Sequence, residues 1–323
     1  MEINEYLDKA SSNLIIYDSF VKAETMLSYY DNIGCSVSGG ADSDIVIDII
    51  SKLDKDRKVK YVWFDTGLEY QATKDHLVYL ENKYNISIQR EKAIKSIPLS
   101  CKEYGQPFLS KFVSQFIEAL QRHGFKWEDK SYEELIEEYP KAKSYVGWWC
   151  NHRDTGTFGY SQFNISYYKG LKEFLLKHPP YFPISSKCCH YAKKEVSKKF
   201  CKDNNIQLMI LGIRKAESGI RTTAYKTCFF KDKKFDKYMP VFWYKHEDKD
   251  DYDRIFDVTH SLCYTQYGLK RTGCVGCPFS KNIIDELCLI EKNEPKLYNA
   301  VNNIFTDSYE YTRMYREFVK GHS

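Results

Sequence analysis

The sequence has no run approaching the roughly 18 to 20 consecutive apolar residues that a bilayer crossing needs. Its amino terminus, from Met1 to Asn13, has no apolar signal core. Membrane spanning and export are therefore set aside, and the expected compartment is the cytoplasm. There is no internal repeat and no low-complexity linker, which excludes solenoids and strings of loosely joined modules. A formal net charge of only +4 is too small to mark a nucleic-acid binder by charge alone.

A folded, water-exposed protein remains. Hydrophobic residues make up 43% and charged residues 28% of the 323 positions, enough for one large α/β core with an appended subdomain, or for two ordinary domains. Tyrosine is abundant, at 27 residues, and packing at the wet edges of a core accounts for that as readily as base stacking does. The charge is uneven: between Lys187 and Lys237 there are 14 Lys and Arg against 5 Asp and Glu. Such a field attracts phosphates, although a solvated helix face through Lys193, Lys194, Lys198 and Lys199 gives the same pattern. Eleven cysteines in a reducing compartment point to metal binding or thiol chemistry before disulfides.

Along the chain, Leu14 to Tyr30 has helical spacing and leads into Ile33–Val37, a short apolar run of the kind a buried parallel strand shows. A Gly-rich turn and a helix through Ile45, Val46, Ile49 and Ile50 follow. A second strand is expected at Val59–Phe64, a helix at Thr73–Tyr84 and a third strand at Ile86–Gln89. That alternation predicts a doubly wound, mostly parallel α/β sheet. From about Lys92 helical stretches broken by Pro and Gly predict an inserted helical region. A basic helix at Cys189–Lys202 and a strand at Leu208–Leu211 resume the alternation, and helices near 283–291 and 295–319 close it. The expected segments are 1–91 and 186–280 for the nucleotide-binding fold, 92–185 for the insertion and 281–323 for the carboxy-terminal helices.

Where the first strand ends stands Ser38-Gly39-Gly40-Ala41-Asp42-Ser43. Glycines let the backbone approach an anion, and the amides and dipole at a helix start favour negative charge there. Ser38 and Ser43 add hydroxyl donors. No Gly-Lys-Ser/Thr closes the loop, so it is not a Walker A motif. It resembles the phosphate loop of the PP-loop adenine-nucleotide α-hydrolases. Trp63-Phe64-Asp65-Thr66-Gly67-Leu68-Glu69, with Thr73 beyond, resembles the acidic signature of the phosphoadenosine phosphosulfate (PAPS) reductase family; by itself it also reads as a strand-to-helix turn capped by Asp65 or Thr66. Gly212-Ile213-Arg214-Lys215-Ala216-Glu217-Ser218 with Arg221 resembles a third segment of that family, its arginines suited to clamp phosphate or sulfate oxygens, or else to bridge Glu217.

Cys188-Cys189 and Cys274-Val275-Gly276-Cys277 offer four thiolates, suited to an iron–sulfur cluster, to zinc or to plain packing. The adjacent pair with a distant Cys-x-x-Cys resembles the 4Fe-4S site of the adenylylsulfate reductase branch, which implies a cluster, with zinc as the alternative. The other seven cysteines, Cys101 among them, lack partner spacing and read as packing residues. Sulfonucleotide reductases resemble one another in a Glu-Cys-Gly-Leu-His tail, and here no cysteine follows Cys288. The resemblance therefore implies a PP-loop enzyme in which ATP with Mg²⁺ activates an acceptor and releases pyrophosphate for sulfur transfer. In that reading Asp42, Asp65 and Arg214 are catalytic, and Ser38, Gly39, Gly40, Ser43, Thr66, Gly67, Gly212, Glu217 and Arg221 join them in binding the adenine nucleotide. A nucleic acid or a sulfur-donor protein is the expected partner. Sulfonucleotide reduction and a non-catalytic nucleotide- or cluster-binding component are the competing readings.

Overall fold

The computed structural model describes residues 3–152, 161–217 and 225–321. They divide into two compact units. The first takes in Met1–Ser96, Tyr191–Val275 and Lys292–Glu294, and the second takes in Ile97–His190, Gly276–Glu291 and Pro295–Ser323.

The first unit is an α/β fold on a mostly parallel sheet. Its elements begin α1 (Ile3–Ala10), α2 (Leu14–Tyr29), β1 (Ile33–Val37), α3 (Ala41–Leu53), β2 (Val59–Asp65), α4 (Gln71–Tyr84) and β3 (Ile88–Lys92). After the excursion into the second unit come helix Glu195–Asp203, β4 (Leu208–Ile210), β5 (Phe229–Phe230), β6 (Asp236–Tyr238) and helix His246–Phe256. The six strands lie in the order β3-β2-β1-β4-β6-β5, parallel throughout except where β5 runs against β6. β1 pairs Ile33–Val37 with Val59–Trp63 on one side and Ile33–Cys35 with Leu208–Ile210 on the other. Chain order thus reverses between β1 and β4, the switch point outside whose carboxyl ends open sheets of this kind bind ligands.

Helix α3 is buried from Ile45 to Ile50 and packs with Phe20, Ile33, Val37, Leu77, Leu208 and Tyr252 into the main core. A helix with no wet face must satisfy its polar groups inside. Asp48 does so with the Tyr252 hydroxyl at 2.6 Å, the Tyr84 hydroxyl at 3.0 Å and the Lys52 ammonium. The start of α4 is capped from far along the chain: the Glu294 carboxylate accepts the amides of Gln71 at 2.9 Å and Ala72 at 3.4 Å.

The second unit is helical. Phe108, Phe116, Trp148, Trp149, Phe174 and Tyr311 fill its core, which draws together the inserted helices and the long carboxy-terminal helix Pro295–Gly321. The expected insertion and closing helices are thus parts of one unit. The basic helix expected at Cys189–Lys202 is divided into a short turn at Lys187–Cys189, a π-turn at His190–Lys194 and the helix Glu195–Asp203. A π-turn adds a residue to a helical circuit, so the face presented before it is rotated relative to the face after it.

Candidate active site

The loop after β1 is held open by its own hydroxyls. The Ser38 amide donates to Ser43 Oγ at 3.0 Å and the Gly40 amide to Ser38 Oγ at 3.3 Å. Gly39 stands at φ +64°, and a Cβ there would meet Thr73 Cγ2 at 2.7 Å, so only glycine fits this position without strain. The exit from β4 lies against it: a Cβ on Gly212 would stand 3.0 Å from the Ser43 nitrogen and 3.2 Å from the Asp42 carbonyl carbon. The loops after β1 and β4 therefore touch backbone to backbone.

Across that contact Arg214 reaches Asp42, its Nε lying 2.7 Å from the carboxylate. Arg214 is only 8% exposed, and its buried Nη1 has no hydrogen-bond partner among the described residues. A buried guanidinium nitrogen without an acceptor is costly, and beside a helix start it is suited to receive an anionic oxygen. A third segment closes in from residues 262–272. The Ala41 amide donates to the Tyr264 hydroxyl at 3.3 Å, and that hydroxyl also takes the Thr272 amide at 3.1 Å. Burial raises the Tyr264 pKa, so the group stays a neutral donor and acceptor.

The loop after β2 is committed to holding its own shape. Asp65 accepts the Gly67 amide at 2.9 Å and Arg90 Nε at 2.9 Å, the guanidinium also lying over Trp63. Thr66 donates to Glu69 at 2.6 Å, and burial raises the Glu69 pKa against the lowering influence of Lys193 and Thr66. Asp65 thus caps a turn and ties β2 to Arg90, while the Val275 amide docks on the Leu68 carbonyl at 3.1 Å. Glu217 is exposed, its amide bonded to the Arg214 carbonyl at 3.2 Å, and Arg221 lies outside the described residues.

Behind the loop Ser38–Ser43 lies a buried network. Asp44, on the first turn of α3 and 0% exposed, faces His76 Nε2 at 3.1 Å and His260 Nδ1 at 2.9 Å. His260 Nε2 in turn meets Asp253 at 2.9 Å, and Lys249 stands 3.9 Å from the same carboxylate. Burial pulls the His260 pKa down, but hydrogen bonds to Asp253 and Asp44 override it and raise the pKa to about 9. No motif spacing singles out Asp44, His76, His260 or Tyr264, because their partners are brought in by folding.

Three of the expected cluster cysteines, Cys188, Cys189 and Cys277, lie in the second unit, while Cys274 lies in the first. Cys101 is not the isolated packing residue its spacing implies. It lies on helix Ile97–Tyr104, whose end is pinned to the 183–185 segment by the Gln106–Ile184 bridge and by the Gln106 amide on the Pro183 carbonyl at 2.9 Å. Its thiol shares a hydrogen bond with that of Cys188, which also meets Cys189, and Cys277 acts on the same thiol electrostatically. The bond with Cys101 and burial push the Cys188 thiol well up, while Cys189 opposes them. As a donor set these soft, gathered thiols suit iron–sulfur or zinc chemistry. Among the described residues no group of three or more His, Cys, Asp and Glu closes into metal-holding geometry. A separate open groove of about 390 Å³ in the second unit, bordered by Tyr104, Glu118, Arg122 and Phe182, includes none of these cysteines and no residue of the loop Ser38–Ser43.

Residues 32–143, roughly a third of the chain, match the model of the phosphoadenosine phosphosulfate reductase domain. That stretch is therefore similar to a PAPS reductase domain. The match takes in the loops after β1 and β2 and ends before Arg214 and before the paired cysteines. Among solved structures the chain is similar to a PAPS reductase from Candida auris in a phosphate complex, at 13% identity and a TM-score of 0.44, covering 84% of this chain and 94% of that one. It is similar to an NH3-dependent NAD synthetase from Campylobacter jejuni in complex with the nitrate ion (10% identity, TM-score 0.36, 96% of each chain). It is also similar to a U34-tRNA thiolase from Methanococcus maripaludis with its 4Fe-4S cluster (12% identity, TM-score 0.39, 95% and 80%). No curated protein matches the chain. No helix among the described residues is long and apolar enough to cross a membrane.

Proposed function

We propose that this PAPS reductase-like chain is an enzyme that binds ATP at the loop Ser38–Ser43 and activates an acceptor for sulfur transfer. The observation that carries the reading is the buried Arg214 guanidinium, paired with Asp42 at 2.7 Å and with Nη1 unsatisfied among the described residues, set against a glycine turn at the switch point of the sheet. In the proposed reaction an acceptor oxygen attacks the α-phosphorus of ATP, the bond to the β-phosphate oxygen breaks, and pyrophosphate leaves. A sulfide delivered by a donor protein then attacks the acceptor carbon and AMP departs with the oxygen; a donor persulfide would instead leave an acceptor–donor disulfide, which a second thiol would have to break by taking the donor sulfur. The amides around Gly39 and Gly40, the Ser38 and Ser43 hydroxyls and Arg214 stabilise the growing negative charge. Asp42 would help hold Mg²⁺, which would supply charge neutralisation for the phosphates. Asp65, Thr66 and Gly67 shape the wall of the site, and Gly212 lets the two loops meet.

Cys188, Cys189 and Cys277, with either Cys101 or Cys274 as the fourth, would hold an iron–sulfur cluster, and zinc is the alternative. A bound cluster would supply a site for a sulfur atom or for an electron. The deciding experiment incubates anaerobically purified protein with ATP, Mg²⁺ and candidate acceptors and measures pyrophosphate. No release with DNA, RNA or small acceptors would remove the activation reading. The matched domain's name favours a second reading, reduction of a sulfonucleotide, and sulfite produced from adenylylsulfate or PAPS with thioredoxin would select it instead.

A further inference from the structure

The stretch from Tyr225 to Lys237 contains five lysines and two aspartates, and both aspartates are occupied internally. Asp232 holds Lys237 at 3.0 Å. Asp236 accepts the Tyr30 hydroxyl at 2.7 Å and the Asp232 amide at 3.0 Å. Lys226, Lys231, Lys233 and Lys234 are exposed and make no ion pair among the described residues. The turn between β5 and β6 thus carries uncompensated positive charge on the edge of the sheet.

Aromatic rings run from that edge toward Arg214. Phe230, 39% exposed, meets Tyr225 with ring centroids 5.5 Å apart. Tyr225 packs on the Ile213, Met239 and Phe242 cluster, and Phe242 meets Trp243, also 39% exposed, at 4.9 Å. The Lys215 ammonium lies 4.8 Å from the Trp243 ring, and the Lys215 amide bonds the Phe242 carbonyl at 2.7 Å, one residue beyond Arg214. Exposed rings interleaved with unpaired lysines are what a flexible polyanion with flat bases requires: charge tracks the phosphates while rings stack on the bases. A folded acidic protein would have no use for the stacking faces, and a membrane would draw on longer apolar side chains.

We propose that this hairpin and the Trp243 platform bind a single-stranded nucleic acid and lead it to Arg214. The proposal rests on the reading of the Arg214 site as an acceptor-activating centre and names the acceptor's class.

The test is fluorescence anisotropy of labelled, mixed-sequence 20-nucleotide DNA and RNA single strands with the full chain, without ATP, at 50 to 200 mM NaCl. Four phosphate contacts predict a slope of log affinity against log salt of about −3, which the combined Lys231→Gln, Lys233→Gln and Lys234→Gln variant lowers by about 2. Trp243→Ala weakens binding about tenfold and leaves that slope in place. Circular dichroism confirms that each variant is folded. Absence of binding at 50 mM salt, an unchanged slope in the triple variant, or preferential binding to phosphatidylserine vesicles through the same lysines would each overturn the surface. Pyrophosphate release is measured separately. Strand binding without release defeats the activation reading and leaves the surface standing, whereas release with a small acceptor and no strand binding does the reverse.

Discussion

Replacing His260 by glutamine should abolish a pH dependence of stability that the native chain carries between pH 6.5 and about 9. The folded pKa is raised from the ordinary 6.5 to about 9, so the protonated imidazole contributes stability that is fully present below pH 6.5 and lost as pH rises through about 9. The side chain is only 12% exposed, so solvent screening leaves most of the effect intact. A shift of that size corresponds to about 3 kcal/mol, with a slope near −1.4 kcal/mol per pH unit inside the window. Urea unfolding at pH 6.5, 7.25 and 8 reads it before unfolded cysteines, with an ordinary pKa of about 8.5, add their own dependence. His260→Gln should flatten this part of the curve. His260→Ala should cost about 3 to 5 kcal/mol at pH 6.5, because Asp44 would keep only His76 in a fully buried position. A flat native curve, or equal slopes in native and His260→Gln proteins, would refute a protonated His260 that donates one N–H to Asp44 and the other to Asp253.

Gly39→Ala places a methyl 2.7 Å from Thr73 Cγ2 at a left-handed φ and should lower stability by about 1 to 3 kcal/mol. Equilibrium binding of inorganic pyrophosphate should fall with it. Arg214→Lys keeps the charge but loses the planar fork, so calorimetric nucleotide affinity should drop at least tenfold; an unchanged Kd would remove Arg214 from the anion site. Iron and acid-labile sulfide counted after anaerobic purification should fall in Cys188→Ser and stay constant in Cys35→Ser. Comparison of Cys101→Ser with Cys274→Ser then identifies the fourth ligand; full iron in every variant would remove these cysteines as ligands, and no iron in the native chain would eliminate the cluster. Arg90→Ala should destabilise by no more than about 1 kcal/mol, since the Arg90 side chain is 53% exposed.

The parallel strands were readable in the sequence because strands buried on both faces are dominated by apolar residues, as Leu208–Ile210 is throughout and as Ile33–Val37 and Val59–Phe64 are apart from Ser36 and Lys60. β3 sits at an edge with Gln89 and Arg90 exposed, and its apolar signal misplaces its start by two residues. The β5–β6 hairpin is illegible, because two and three residues of mixed character form no period. The loop Ser38–Ser43 and the position of Arg214 after β4 could be recognised, since glycine and arginine at strand ends are local signals. The pairing of Asp42 with Arg214, of Asp65 with Arg90 and of Cys101 with Cys188 depends on which elements lie side by side, and spacing along one chain does not encode that. The π-turn at His190–Lys194 was likewise hidden, since one added residue shifts the phase of a helical pattern without interrupting its composition.

The close approach of Gly212 to the Ser43 backbone makes the strand tips around the switch point a single moulded part. Neither segment can be exchanged for a bulkier or longer one from another protein unless the other changes in step. Chimeras that transplant residues 38–43 alone should therefore fold poorly, whereas those carrying 38–43 and 211–217 together should keep their shape. The practical unit for re-engineering this candidate site is a pair of segments nearly 170 positions apart in the sequence.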